Sequence, residues 1–567
     1  MSSIKTETVV LEPISSPLPQ VHLPPSHPSH PSPPDVNDSI LASAVLPASE
    51  YPATEIGAER QVFQQEPSFH SMGNTRKITI LVLIVACNFI QMISNIIGLA
   101  AGLEISKLLG VETGPGRANW VAASYPLTQG TFVLISGRLG AVYGHKNILF
   151  IGGAWFVIWS LVNGFVTSFV PFIIARALTG VGGALLMPNV VAMIGITCPP
   201  GRLRNISLGF FSASAPTGSY LGSLIIGGLI AAGHWDLCFF ILAFLASIIL
   251  AVLWVLLPPE RPVDRYGKID WIGAVLGTGG LIVFNVAWNQ APAVGWSTPY
   301  EIVLVCLSIV LLAIFTIWES KFAHTPILPL DIWHAPSFLP LVITVLFCFM
   351  ANSTFLWYMV IWLQTLRGYS VFQFAVSWTP FGIIGTVGAL LSAWLIPRLA
   401  AQWILAIGAT AILISNILLA TMPAQQSYWT QVFPATIFMA FCPDFVYTAA
   451  QIIASNSVRR SQQGVAASLI GTLNLYGNSL GLGFSGTVET EINKGRRDPV
   501  VGYKAALYFG TAIAATALLI NLLFVRVVKD GREGWVDQED VNTDSNANNR
   551  SHDPAEGTST AVQARRV

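Results

Sequence analysis

From Ile78 to about residue 527 the chain alternates between long apolar runs and short polar joints. About 14 runs reach the roughly 20 apolar residues needed to cross a bilayer. The first covers 78–101, the seventh and eighth 269–290 and 300–319, and the last 504–527. Backbone groups in hydrocarbon must bond within their own segment, so each run is predicted to be a helix. A β-barrel needs alternating segments of about ten residues, and stretches such as Ile78–Ala86 do not alternate. The flanks read differently. Residues 1–74 are rich in Pro, Ser and His, with no apolar period and no signal-peptide core. They are expected to form a disordered tail, as is the polar stretch 529–567.

Composition narrows the class. Of 567 residues, 53% are hydrophobic and only 10% are Asp, Glu, Lys or Arg, against roughly 25% in soluble domains. The expected fold is an all-α polytopic membrane protein whose surroundings are the lipid bilayer. Lys+Arg and Asp+Glu both number 29, which leaves no basic excess for nucleic acid. Six Cys are too few for a secreted disulfide scaffold and show no paired metal spacing. There is no P-loop and no His-Glu-x-x-His. No metal, cofactor or catalytic residue is therefore assigned, and the chain is not read as an enzyme.

The remaining charges set the orientation. An even number of spans puts both tails on one side. With the distal tails and Arg176 set aside, that side carries about 16 Lys or Arg against about 7 opposite. Arg138, Lys146, Arg202, Arg261, Arg459 and Arg460 are among them. Both termini are expected to be cytosolic, in the plasma membrane, with the protein a monomer.

Three short elements carry mechanism. The joint between spans 2 and 3 reads Gly137-Arg138-Leu139-Gly140-Ala141-Val142-Tyr143-Gly144-His145-Lys146. Glycines permit a tight turn and the basic residues resist translocation. In span 4, Arg176, Gly180 and Ala184 are four apart and share one face. Arg176 lies about six residues inside the span, roughly 9 Å deep, so it needs a cavity or a partner. In span 5, Pro216 predicts a kink, and Gly218 and Gly222 form a close-packing face.

These elements resemble the major facilitator superfamily. Gly137, Leu139, Gly144 and Lys146 match its signature Gly-x-Leu-x-Asp-Arg-x-Gly-Arg-Lys, but the acidic position is Ala141 and the next is Val142. In the family that carboxylate helps to lock the cytosolic side, a role that does not carry over to Ala141. Arg176 to Ala184 resembles the element Arg-x-x-x-Gly-x-Gly-x-Ala, which implies proton coupling for Arg176. Pro216 to Gly222 is similar to the antiporter element built on Gly-Pro, with Ala215 in place of the first Gly. The run count matches the 14-span drug:proton antiporters, and Trp120–Lys146 and Asp444–Glu489 look closest to the fungal aminotriazole-resistance type. The resemblance implies a major facilitator fold of two six-helix bundles, 75–258 and 331–528, with two additional helices in a linker, 259–330.

Arg176 and Asp444 are the two ionisable residues placed well inside the spans. Asp444 follows Pro443 in span 12, where a carboxylic acid that gains and loses a proton can couple proton movement to solute movement. Amides and aromatics outline a cavity: Asn88, Gln91 and Asn95 in span 1, Gln129 in span 2, Asn352 and Trp357 in span 9, Trp378 in span 10, and Asn474 and Asn478 in span 13. The same amides can equally serve as interhelical hydrogen-bond glue. Three functions remain open. The first is a proton-coupled exporter of small organic compounds (drug, toxin or secondary metabolite) working by alternating access. The others are a permease for a small polar solute such as ammonium or borate, and a transport-inactive sensor or scaffold. The partners expected are a small-molecule substrate and protons.

Overall fold

The computed structural model describes residues 72–111, 115–198, 202–260, 262–458 and 462–526. The predicted tails beyond Met72 and Arg526, the basic residues Arg261, Arg459 and Arg460, and the side chain of Arg202 lie outside the described residues. Every regular element among those described is helical.

The first group comprises α1 (Asn74–Ala100), α2 (Pro115–Tyr143), α3 (His145–Phe165), α4 (Phe169–Thr197), α5 (Arg202–Ala231) and α6 (Leu237–Leu256). A pair follows, α7 (Trp271–Val294) and α8 (Pro299–Lys321). The last group comprises α9 (Phe338–Ile361), the two-piece α10 (Val371–Ser377 and Thr379–Leu395) and α11 (Ala401–Ala420). It continues with the two-piece α12 (Val432–Met439 and Cys442–Ser457), α13 (Gln463–Asn493) and α14 (Val500–Phe524).

Ten of these helices are long and apolar enough to cross a membrane, and the α10 pair, bent by 42°, makes an eleventh. The others, α2, α5 and α13, are 29, 30 and 31 residues long but more polar. Their polarity has a structural reason: they form the seams between the two groups. Helix α2 packs on α13, and α5 packs on both pieces of α10. The set is consistent with the 14 runs expected.

Small residues allow the close approaches. A Cβ on Gly130 of α2 would lie 2.6 Å from the backbone nitrogen of Tyr476 in α13. Within the first group, a Cβ on Gly218 would lie 2.8 Å from the Phe89 carbonyl oxygen, and one on Gly222 2.9 Å from the Ile93 Cα. The pair four apart in α5 therefore seats α1 directly on its backbone. Hydroxyls tie the other seam: Thr217 to Thr386 at 2.8 Å, and Tyr220 to Thr379 at 2.9 Å.

The inserted pair is asymmetric. Helix α7 packs on α2 and α13 across their seam. The Ser479 hydroxyl donates to Asn285 Oδ1 at 2.9 Å, and the Tyr476 hydroxyl donates to the Leu281 carbonyl at 3.0 Å. Trp288 stacks on Phe484 with ring centres 3.6 Å apart. Helix α8 buries only Glu301, Ser308 and Glu319, so its apolar sides are left for lipid.

Candidate functional site

A cavity of about 180 Å³ opens between the two groups. Helices α1 and α5 supply Asn88, Asn95 and Pro216 from one side; α9, α10, α12 and α13 supply Asn352, Trp378, Asp444 and Asn478 from the other. Asn474 and Tyr447 add to the polar lining. Asn352 Nδ2 donates to Asn478 Oδ1 at 3.1 Å, and Asn478 Nδ2 donates to the Asn474 carbonyl at 2.8 Å. These amides are thus at once cavity lining and interhelical bonds. Asn88 is similar: its Nδ2 donates to Ser214 Oγ at 2.8 Å and to the Phe211 carbonyl at 3.1 Å. Trp378 stacks on Phe381, with ring centres 4.4 Å apart, and walls the cavity with an apolar face.

Asp444 sits where α12 is broken. The first piece of α12 ends at Met439, the second starts at Cys442, and Pro443 stands at the first turn of the second piece. Proline fits there because its missing N–H falls where the helix has no acceptor for one. The break leaves Asp444 half-buried at the start of a half-helix, facing the cavity. Among the described residues it has no hydrogen bond or ion pair. Discontinuous helices at this depth recur where transporters bind solutes and ions.

Three predicted cavity residues lie elsewhere. Gln91 is turned about 60° from Asn88 at 100° per residue. It accepts a 3.2 Å hydrogen bond from Gln129 Nε2, and both are buried inside the first group. Trp357 comes five residues after Asn352, a rotation of about 140°. It is fully buried, with its ring against Gly102 just beyond α1.

Arg176 is also away from the cavity, with no exposed surface. Its guanidinium donates to Ser94 Oγ at 3.0 Å and to the Ser94 carbonyl at 2.7 Å, and lies 5.0 Å from the Tyr125 ring centre. It does not meet Asp444. Gly180, one turn on, faces Thr128 Oγ1 and the Tyr125 carbonyl, so α4 lies against the backbone of α2.

At the α2–α3 joint, Gly144 has φ of 93°, a left-handed conformation suited to glycine. A carboxylate from another segment lies beside Ala141 and Arg138. Asp264, in the segment between α6 and α7, pairs with Arg138 at 2.9 Å, and its backbone N–H donates to the Ala141 carbonyl at 2.9 Å. Glu260 accepts from the Lys146 backbone N–H at 2.7 Å, and the Lys146 ammonium donates to the Leu257 carbonyl at 2.6 Å. Sequence reasoning missed both acids because they lie outside the spans. It missed three buried acids as well: Glu489, just past the predicted end of span 13, and Glu301 and Glu319, near the two ends of α8.

Two helix groups around a polar cavity, with a glycine-rich basic turn between α2 and α3, are the architecture the motifs implied, and the Major Facilitator Superfamily model matches residues 80–482. The chain belongs to the Major Facilitator Superfamily. Relatives in this superfamily include the low affinity ammonium transporter of Saccharomyces cerevisiae, 35% identical over 75% of this chain and 84% of the relative. Efflux pump terJ of Aspergillus terreus is 34% identical over 78% of this chain and 88% of its own. The aminotriazole resistance protein of Saccharomyces cerevisiae is 33% identical over 78% and 83%. The crystal structure of the POT family transporter PepTSo superposes with a TM-score of 0.59 at 15% identity, over 80% of this chain and 99% of that one, and shares the fold. The superfamily's relatives are transporters, and this chain is a multi-pass membrane transporter.

Proposed function

We propose that this protein exports small organic compounds against proton influx by alternating access, with both termini cytosolic in the plasma membrane. The observation that carries the reading is Asp444: an unpaired carboxyl on the wall of the inter-group cavity, at a helix break, facing amides and the Trp378–Phe381 stack. A proton bound there neutralises the one acid among the described lining residues, so proton and solute compete for or share one space. Relatives named as efflux pumps support the direction. At about 180 Å³ the cavity is below the roughly 300–1,000 Å³ of drug-sized pockets. Compact, weakly polar solutes suit it best, such as small nitrogen heterocycles.

The ammonium-transporter relative supports a second reading, a permease for a small polar solute. One assay separates the two. Vesicles of known orientation are loaded with a small heterocycle such as aminotriazole or with an ammonium analogue, and flux is followed under an imposed pH gradient, with and without a protonophore. Export is supported by gradient-driven movement toward the extracellular side that the protonophore abolishes. Downhill flux indifferent to the gradient supports the permease and overturns the proposal.

A further inference from the structure

A second carboxyl is enclosed in the last helix group, away from the cavity. Glu489 of α13 has no exposed surface, and its Oε1 is buried without a partner. Its Oε2 lies 2.7 Å from the hydroxyl of Tyr358 in α9. Among the described residues no cation pairs with it. The titratable groups that face it are Tyr358 and Tyr503 of α14. Of the other helices packed on α13, α7 carries no charged residue, and the one on α12, Asp444, faces the cavity. Helix α2 presents Asn119 one turn away, against Gly486.

The Tyr358 hydroxyl has two neighbours and one hydrogen. It is 2.7 Å from Glu489 Oε2 and 3.1 Å from the Ser485 carbonyl oxygen. The carbonyl can only accept, so the phenol can donate to it only if Glu489 is the donor to the phenol oxygen. That arrangement requires a protonated carboxyl. When the carboxyl is ionised, the phenol donates to it instead, and the Ser485 carbonyl keeps its helical bond from the Glu489 N–H. Both forms of the acid therefore find a partner by rotation of one hydroxyl. A buried acid with no counter-charge is otherwise costly to keep.

We propose that Glu489, with Tyr358 as its rotating partner, is a second proton-binding site of this transporter, separate from Asp444. Binding adds one proton to a carboxyl oxygen and turns the Tyr358 hydroxyl from Glu489 to Ser485. Because α13 forms the seam with α2, that change occurs on a helix joining the two groups. Any part in coupling rests on the proton-driven reading above; the site itself does not.

The test is an infrared pH titration of the full-length protein in the Asp444→Asn background, following the carboxylic-acid carbonyl band of buried acids. The expected result is a titrating component of that band that is lost when Glu489→Gln is added. Glutamine keeps the size and an acceptor for Tyr358. Tyr358→Phe leaves the acid but removes the stronger bond to its ionised form, so proton affinity should rise about tenfold. The buried Glu301 and Glu319 supply components that Glu489→Gln leaves in place; a titrating amplitude unchanged by Glu489→Gln, or a midpoint of the Glu489 component unmoved by Tyr358→Phe, overturns the proposal. Should Glu489→Gln not fold, the Tyr358→Phe midpoint alone decides. Transport by Asp444→Asn is scored separately, so failure of the coupling reading does not read as failure of this one.

Discussion

Replacing Arg176 by Lys or Met distinguishes a guanidinium that holds helices from one that takes part in transport. Arg176 makes two charge-assisted bonds to Ser94, at 3.0 and 2.7 Å, and faces the rings of Tyr125 and Phe239 at 5.0 and 5.9 Å. A Lys ammonium keeps the charge, but as a point donor on a flexible stem it satisfies one of the two oxygens and loses the planar ring contact. A hydrogen bond to a charged group contributes about 1.5–3 kcal/mol, and the ring contact about 0.5–2 kcal/mol. Arg176→Lys should therefore cost about 2–5 kcal/mol. Arg176→Met loses both bonds but also removes a buried cation that no carboxylate neutralises among the described residues. The Ser94 carbonyl retains its helical bond. Replacing buried charge by apolar volume is often close to neutral, so Met should be no more destabilising than Lys. The assay pairs the thermal midpoint of the purified protein with gradient-driven flux in vesicles. Both variants should keep measurable flux, with the Lys midpoint lowered most. Unchanged midpoints together with abolished flux would falsify the packing role and put the guanidinium in the transport cycle.

Other expectations follow from the same geometry. Asp444→Asn should lose gradient-driven accumulation while retaining downhill exchange; accumulation at the wild-type level removes Asp444 from coupling. The Arg138–Asp264 pair is 32% and 43% exposed, so Asp264→Ala should cost no more than about 1 kcal/mol. A large drop in the thermal midpoint would show that the α6–α7 segment does more than screen the α2–α3 turn. Gly218→Val inserts side-chain atoms where even a Cβ lies 2.8 Å from the Phe89 carbonyl oxygen. It should destabilise by about 1–3 kcal/mol, read as reduced yield of folded protein; wild-type yield and midpoint would contradict the direct α1–α5 contact.

Legibility differed by kind of feature. The membrane class and the helices follow from runs of apolar residues, and that signal is local. The cavity was legible where a stripe happened to face inward, as with Asn88 and Asn95, and Asn474 and Asn478. It was not legible at Gln91, Gln129 and Trp357, because a rotation of about 60° to 140° separates a cavity wall from a packed interior. Glu489 was hidden by a boundary: the predicted span ended at 487, whereas α13 continues to Asn493.

The sequence alone determined that this chain is a many-helix membrane protein and which family's turn it carries. Hydrophobic length and backbone hydrogen bonding in lipid leave no other choice. Only the tertiary structure decided which polar side chains face the cavity and which face each other. It put Arg176 on Ser94 rather than on Asp444, and supplied Asp264 to Arg138 where Ala141 offers no charge. The physical reason is that partner choice depends on how each helix is rotated against its neighbours. That rotation comes from close contacts such as those at Gly130, Gly180 and Gly218, between residues far apart in the chain.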